Sequence, residues 1–149
     1  SEQTPSLKPC SGKEGSSIAE IKDVTVSDLK PGETATFKYT LELKEELPEN
    51  SKVAFTITSG SKTAPCVGGI GSCTYDLCGG SEKIAKQIGK PWENHCPAPP
   101  KEYSNVVQVE IPTIVKDFIK EPSIHVKIDA FDDKKTLLCV ELDVNVETD

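Results

Sequence analysis

The chain contains no arginine and no methionine. All 17 of its basic residues are therefore lysine, a point charge without the planar fork that grips carboxylate or phosphate at two points. A net charge of -7 removes nucleic acid from the expected partners, because phosphate binding needs a basic footprint. Aromatic residues make up only 5% of the chain, with Trp92 the single tryptophan, and there are just 2 histidines, His95 and His125. No apolar run approaches the ~20 residues of a membrane-spanning helix. No Asn-x-Ser/Thr sequon occurs, so glycosylation gives no clue to compartment. The chain starts at Ser1, which fits a mature form whose leader has been removed.

What is present fits one domain, expected over residues 1–149. A chain of this size buries roughly 70% of its unfolded surface, enough for a true core. Its 6 cysteines are Cys10, Cys66, Cys73, Cys78, Cys96 and Cys139. Their even number, and an outer pair that nearly brackets the chain, favour disulfides and an oxidising, extracytoplasmic compartment. The count alone leaves the pairing open. A zinc site from the inner four plus His95 is the rival, but their spacing lacks the close ligand pairs of zinc ribbons and fingers, so no metal is expected.

Apolar residues recur with period two over most of the chain, the signature of half-buried strands. Phe37, Tyr39, Leu41 and Leu43 alternate with Thr36, Lys38, Thr40 and Glu42. Val53, Phe55 and Ile57 repeat the pattern, as do Val107, Val109 and Ile111. Later come Ile124, Val126, Ile128 and Ala130, then Leu138, Val140, Leu142, Val144 and Val146. Ile18 and Ile21 are out of phase with Val24 and Val26, which predicts a bulge or two short strands. Turn residues separate the runs, as at Lys30-Pro31-Gly32 and Asp132-Asp133-Lys134. Six or seven short strands with hairpin-length breaks imply an antiparallel sandwich.

Residues 66–101 break the alternation. One short helix is predicted from Ser81 to Gly89, with Ile84 and Ile88 on one face and Gly89 as a left-handed cap. Between Cys73 and Lys101 four lysines face three acids, a net of +1 that leaves the rest of the chain at -8. A slightly basic loop with a tryptophan suits an anionic membrane surface. A second apolar segment, Ile114, Val115, Phe118 and Ile119, interrupts two strands. Both segments are read either as lids on the core or as an apolar rim that dips into a bilayer. Catalytic groupings are weak. His125 falls on the outward phase of a strand and is expected to be solvated, His95 abuts Cys96, and the carboxylates are scattered, so no enzyme is expected.

The run Cys66-Val-Gly-Gly-Ile-Gly-Ser-Cys73-Thr-Tyr-Asp-Leu-Cys78, followed by His95-Cys96-Pro97, resembles the ganglioside-activator branch of the ML lipid-recognition superfamily. Cys10, Val109-Glu-Ile-Pro112 and Leu138-Cys139-Val140 extend the likeness over nearly the whole chain. The resemblance implies an all-β, immunoglobulin-like sandwich of two antiparallel sheets and about seven to eight strands, with a lipid cavity between the sheets. It implies the pairs Cys10–Cys139, Cys66–Cys73 and Cys78–Cys96. A fourth pair of the activator pattern is missing, and Ile114 stands where that pattern has a tryptophan.

By the same resemblance, the cavity is lined by Phe37, Tyr39, Leu41, Phe55, Ile57, Val107, Val109, Ile111, Val126, Ile128, Val140 and Leu142. The membrane-contact rim comprises Ile84, Ile88, Trp92, Ile114, Val115, Phe118 and Ile119. Serine at Trp92 and Phe118 should then abolish liposome association without unfolding the chain. The expected function is binding and transfer of glycolipid or phospholipid in a secretory or lysosomal lumen, with transient membrane contact. A glycosidase is a candidate partner, the chain being a monomer or weak dimer. Bound lipid is the expected ligand, with no other cofactor. A receptor-binding module of the same class and a sterol carrier are the alternatives.

Overall fold

The computed structural model describes residues 1–12 and 17–148. After the short β1 (Glu2–Gln3) and β2 (Lys8–Pro9) come three long strands, β3 (Ala19–Ser27), β4 (Thr34–Leu43) and β5 (Lys52–Ser59). The short β6 (Lys62–Thr63), β7 (Cys66–Val67), β8 (Ile70–Gly71) and β9 (Thr74–Asp76) lead into helix α1 (Lys83–Gly89) and a 3-10 turn at Lys90–Trp92. The chain ends with β10 (Glu102–Glu110), the one-turn helix α2 (Val115–Phe118), β11 (Ser123–Phe131) and β12 (Thr136–Asn145).

These strands form the antiparallel sandwich that the alternation implies. One sheet has the order β1-β3-β4-β10, the other β2-β12-β11-β5-β6 with β9 also on β5, and β7-β8 is a separate hairpin. The register joins residues of the same phase: Tyr103, Asn105, Val107 and Val109 lie opposite Leu41, Tyr39, Phe37 and Ala35. In the second sheet Val126 lies between Ile57 and Leu142, and Ile128 between Phe55 and Val140. The phase change near residue 23 is a bulge, with a register shift between Lys22 and Thr25 and Asp23 at φ 55°. Pro31 and Gly32 occupy the central positions of a β-turn closed by Glu33 N–H on Lys30 O at 3.0 Å, and Gly32 takes the positive φ of 88° that a type II turn needs.

The helix differs from expectation at both ends. It begins at Lys83, and Gly89 stays right-handed (φ -84°) and runs into the 3-10 turn. The left-handed residues are Glu93 and Asn94 instead. Gly89 serves close approach, since a Cβ there would press on the Asn94 side chain and lie 2.7 Å from Leu77 O.

Three disulfides form as the resemblance implies, Cys10–Cys139, Cys66–Cys73 and Cys78–Cys96, with no free cysteine among the described residues. Along one side the two sheets are laced together by Ile18 N–H on Leu137 O at 3.2 Å and Glu147 N–H on Leu29 O at 2.8 Å. There the Gln3 amide also pairs with both backbone groups of Asn145, at 2.8 and 2.9 Å. On the opposite side α1 lies along the edge strand β10. The Gln87 amide donates to Gln108 O and accepts from Gln108 N–H, both at 2.9 Å. Each glutamine acts as a short piece of strand and occupies edge groups that would otherwise be free to pair.

Candidate functional site

In a filled sandwich the middle of the central strands is the place solvent reaches last. Here β4, β5 and β11 depart from that order, while the middle of β12 stays buried. The strand ends are sealed: Val53, Ala130, Leu137 and Leu138 are buried at one end, and Val26, Ala35, Ile124 and Val144 at the other. Between them Phe37, Tyr39 and Leu41 on β4, Phe55 and Ile57 on β5, and Val126 and Ile128 on β11 are only half-buried. The apolar interior accordingly divides into two clusters, one around Tyr75, Trp92 and Tyr103 and one around Val26, Ile124 and Val144, with Ile128 packed against both. The half-buried residues of this middle layer are apolar and lie on strands of both sheets, between the two buried clusters.

The expected cavity residues therefore fall into two sets. Phe37, Tyr39, Leu41, Phe55, Ile57, Val126 and Ile128 are half-buried on facing strands, as are Val109 and Ile111 at the end of β10. Val107, Val140 and Leu142 are buried. On the side of α1 the molecule has a concavity of about 390 Å³, where Ile70, Ile84 and Val109 arrive from the β7-β8 hairpin, α1 and β10. Glu82, Lys83 and Glu110 are also at its edge. A second, wider depression of about 650 Å³ over β4 and β10 includes Lys38, Thr40, Lys90 and Ser104.

Of the expected rim, Trp92 is a correction. It is 8% exposed, its indole N–H donates to Leu77 O at 2.9 Å, and its ring meets Tyr103 edge-on at 5.4 Å between centroids. Trp92 lies in the 3-10 turn that begins after Gly89, buried against the core, and so is not an exposed rim residue. Ile84 and Ile88 are half-buried against the same cluster, and Ile119 packs on the second cluster. Ile114 is 72% exposed, beside half-buried Val115 and Phe118. An apolar residue outside the expected set is Val67, 69% exposed beside the turn of the β7-β8 hairpin. Its signal was present in Cys66-Val67-Gly68-Gly69-Ile70, where a Gly-Gly turn between crosslinked cysteines leaves its apolar neighbours no core to enter. The hairpin is held by the Tyr75 hydroxyl donating to Gly69 O.

His125 lies at the surface, as its outward phase predicts, and is paired there as well. Nε2 lies 2.7 Å from Glu141 and Nδ1 2.9 Å from Asp143 on the outer face of β11 and β12. The hydrogen bond to Glu141, then that to Asp143, holds its pKa above the ordinary histidine value. No group of three metal-ligating side chains occurs among the described residues. No helix among them is long and apolar enough to cross a membrane.

A family profile described as the ML domain matches residues 5–146. Among solved structures, a Niemann-Pick type C2 protein from the Japanese carpenter ant superposes with a TM-score of 0.54. The match covers 95% of this chain and 99% of that one at 11% identity, a likeness of fold. No curated protein sequence matches. With almost its full length inside the profile, the chain belongs to the ML-domain family, the lipid-recognition class.

Proposed function

We propose that the protein is a lipid carrier that holds acyl chains between its two sheets and exchanges them at membranes in an oxidising compartment. The observation that carries this reading is the half-buried apolar layer in the middle of the sandwich, sealed at both ends by buried side chains. An acyl chain of about sixteen methylenes gains on the order of 13 kcal/mol when it leaves water, so an apolar slot is a sufficient host. In a bilayer the chain is already dry, and extraction from it has almost no hydrophobic driving force. Uptake therefore requires docking, so that the lipid passes from bilayer to slot without crossing water. Exposed Ile114 and Val67, with Val115 and Phe118, are suited to that contact. Glycolipid or phospholipid is the cargo, and a lipid hydrolase such as a glycosidase is a natural recipient. The three disulfides suit a secreted or lysosomal setting. Organic extraction of purified protein followed by mass spectrometry tests the reading: about one lipid per chain is expected, and protein that neither retains nor takes up lipid from vesicles would overturn it.

A further inference from the structure

Among the half-buried side chains of β4 there is one phenol among hydrocarbons, and with Asn105 it also borders the depression over β4 and β10. Tyr39 lies between Phe37 and Leu41 on the inward phase of β4, and its hydroxyl receives a hydrogen bond from Asn105 Nδ2 at 2.9 Å. The orientation of the Asn105 amide follows from its other partners. Val106 N–H needs an oxygen and meets Oδ1 at 2.9 Å, which turns Nδ2 toward Gln87 O at 3.0 Å, Ile88 O at 3.4 Å and the phenol. An amide nitrogen only donates, so the Tyr39 oxygen is the acceptor in that contact and its own proton points elsewhere. No protein acceptor meets that proton among the described residues. Burial pushes the phenol pKa up, against a smaller lowering by Asn105, so the hydroxyl stays neutral and able to donate. A donor partly withdrawn from water and without a protein partner is one that a ligand acceptor can satisfy.

We infer that Tyr39 is the polar anchor of the slot, held by Asn105 so that its hydroxyl donates to an uncharged acceptor oxygen of the bound lipid, an ester, ether or alcohol oxygen next to the hydrocarbon chain. The inference rests on the lipid-carrier reading above and narrows the cargo to amphiphiles with such an oxygen. Asn105 is a positioning residue, and its scaffold is the C-terminal turn of α1.

Tyr39→Phe removes the hydroxyl and keeps the ring, and Asn105 retains its helix carbonyls. Wild type and variant are titrated with methyl palmitate and with hexadecane, each delivered from cyclodextrin against a bound fluorescent hydrocarbon probe. The variant should bind methyl palmitate about tenfold more weakly, the worth of one desolvated hydrogen bond, with its hexadecane affinity unchanged. Its thermal midpoint should stay within about 2 °C of wild type, because no intramolecular donor loses its only acceptor. Equal losses for both ligands would reduce Tyr39 to a packing role, and an unchanged methyl palmitate affinity would overturn the anchor. Failure of both ligands to displace the probe from wild type would instead remove the carrier reading and this inference with it.

Discussion

Trp92 and Ile114 show how one chemical type serves opposite ends of the same protein. Trp92 is enclosed, with its N–H satisfied by Leu77, so Trp92→Ala should cost about 3–5 kcal/mol in denaturant unfolding. Trp92→Ser therefore does not test membrane contact. Ile114→Ser and Val67→Ser should leave the denaturation midpoint unchanged and weaken liposome co-sedimentation, since both side chains are already in solvent. The sequence reading put Trp92 in the same rim as Ile114 and left Val67 out, because exposure of a lone apolar residue in a loop depends on a turn geometry that has no periodicity. His125 has a pH signature with a definite sign. Its folded-state pKa is raised, so its pairing with Glu141 and Asp143 contributes fully below the ordinary value near 6.5 and is lost as pH rises through the higher folded value. His125→Gln should lower the thermal midpoint at pH 5.5 and have little effect at pH 8.5. A deficit that grows with pH would contradict this assignment.

At the level of elements, the long strands were legible because apolar residues alternate with period two along them, over seven residues from Phe37 to Leu43 and from Leu138 to Val144. Even the bulge was visible in the phase slip between Ile21 and Val24. Less legible was α1, whose true ends depend on tertiary contact: Gly89 is buried against Leu77 and cannot act as an isolated cap. The one-turn helix α2 has too few residues to show a helical repeat. The β7-β8 hairpin depends on Gly71, at φ 114°, where a Cβ would overlap Pro65 O. Gly71→Ala should therefore displace the hairpin, release Tyr75 from Gly69, and increase proteolytic cutting within residues 66–73, while the long strands stay protected in hydrogen exchange. Protection lost uniformly would mean that the hairpin is part of the cooperative core.

The whole molecule is a sandwich joined along one side and lined by α1 on the other, and its charge bears on the proposed docking to a membrane. With a pI near 4.9, most of the net -7 is neutralised in a lysosome-like lumen, which weakens repulsion from anionic lipid. Liposome binding and lipid transfer should be stronger at pH 5 than at pH 7.5 in matched salt, and equal rates would sink the idea. The Cys10–Cys139 bridge, spanning 129 residues, ties the first strands to β12, and replacing both cysteines by serine should cost about 2–5 kcal/mol. The proposed slot was not legible from periodicity, because alternating strands fit a filled core as well as a split one; the half-exposed middle layer is what favours the split one. The glutamines that occupy the strand edges have a further consequence, in the ageing of the protein. Deamidation of Gln87 would leave a carboxylate that can still accept from Gln108 N–H but can no longer donate to Gln108 O. Stored protein that has undergone this change should begin to self-associate through β10, and the hydrolysed amide should be enriched in the oligomer fraction when the two are separated and mass-analysed.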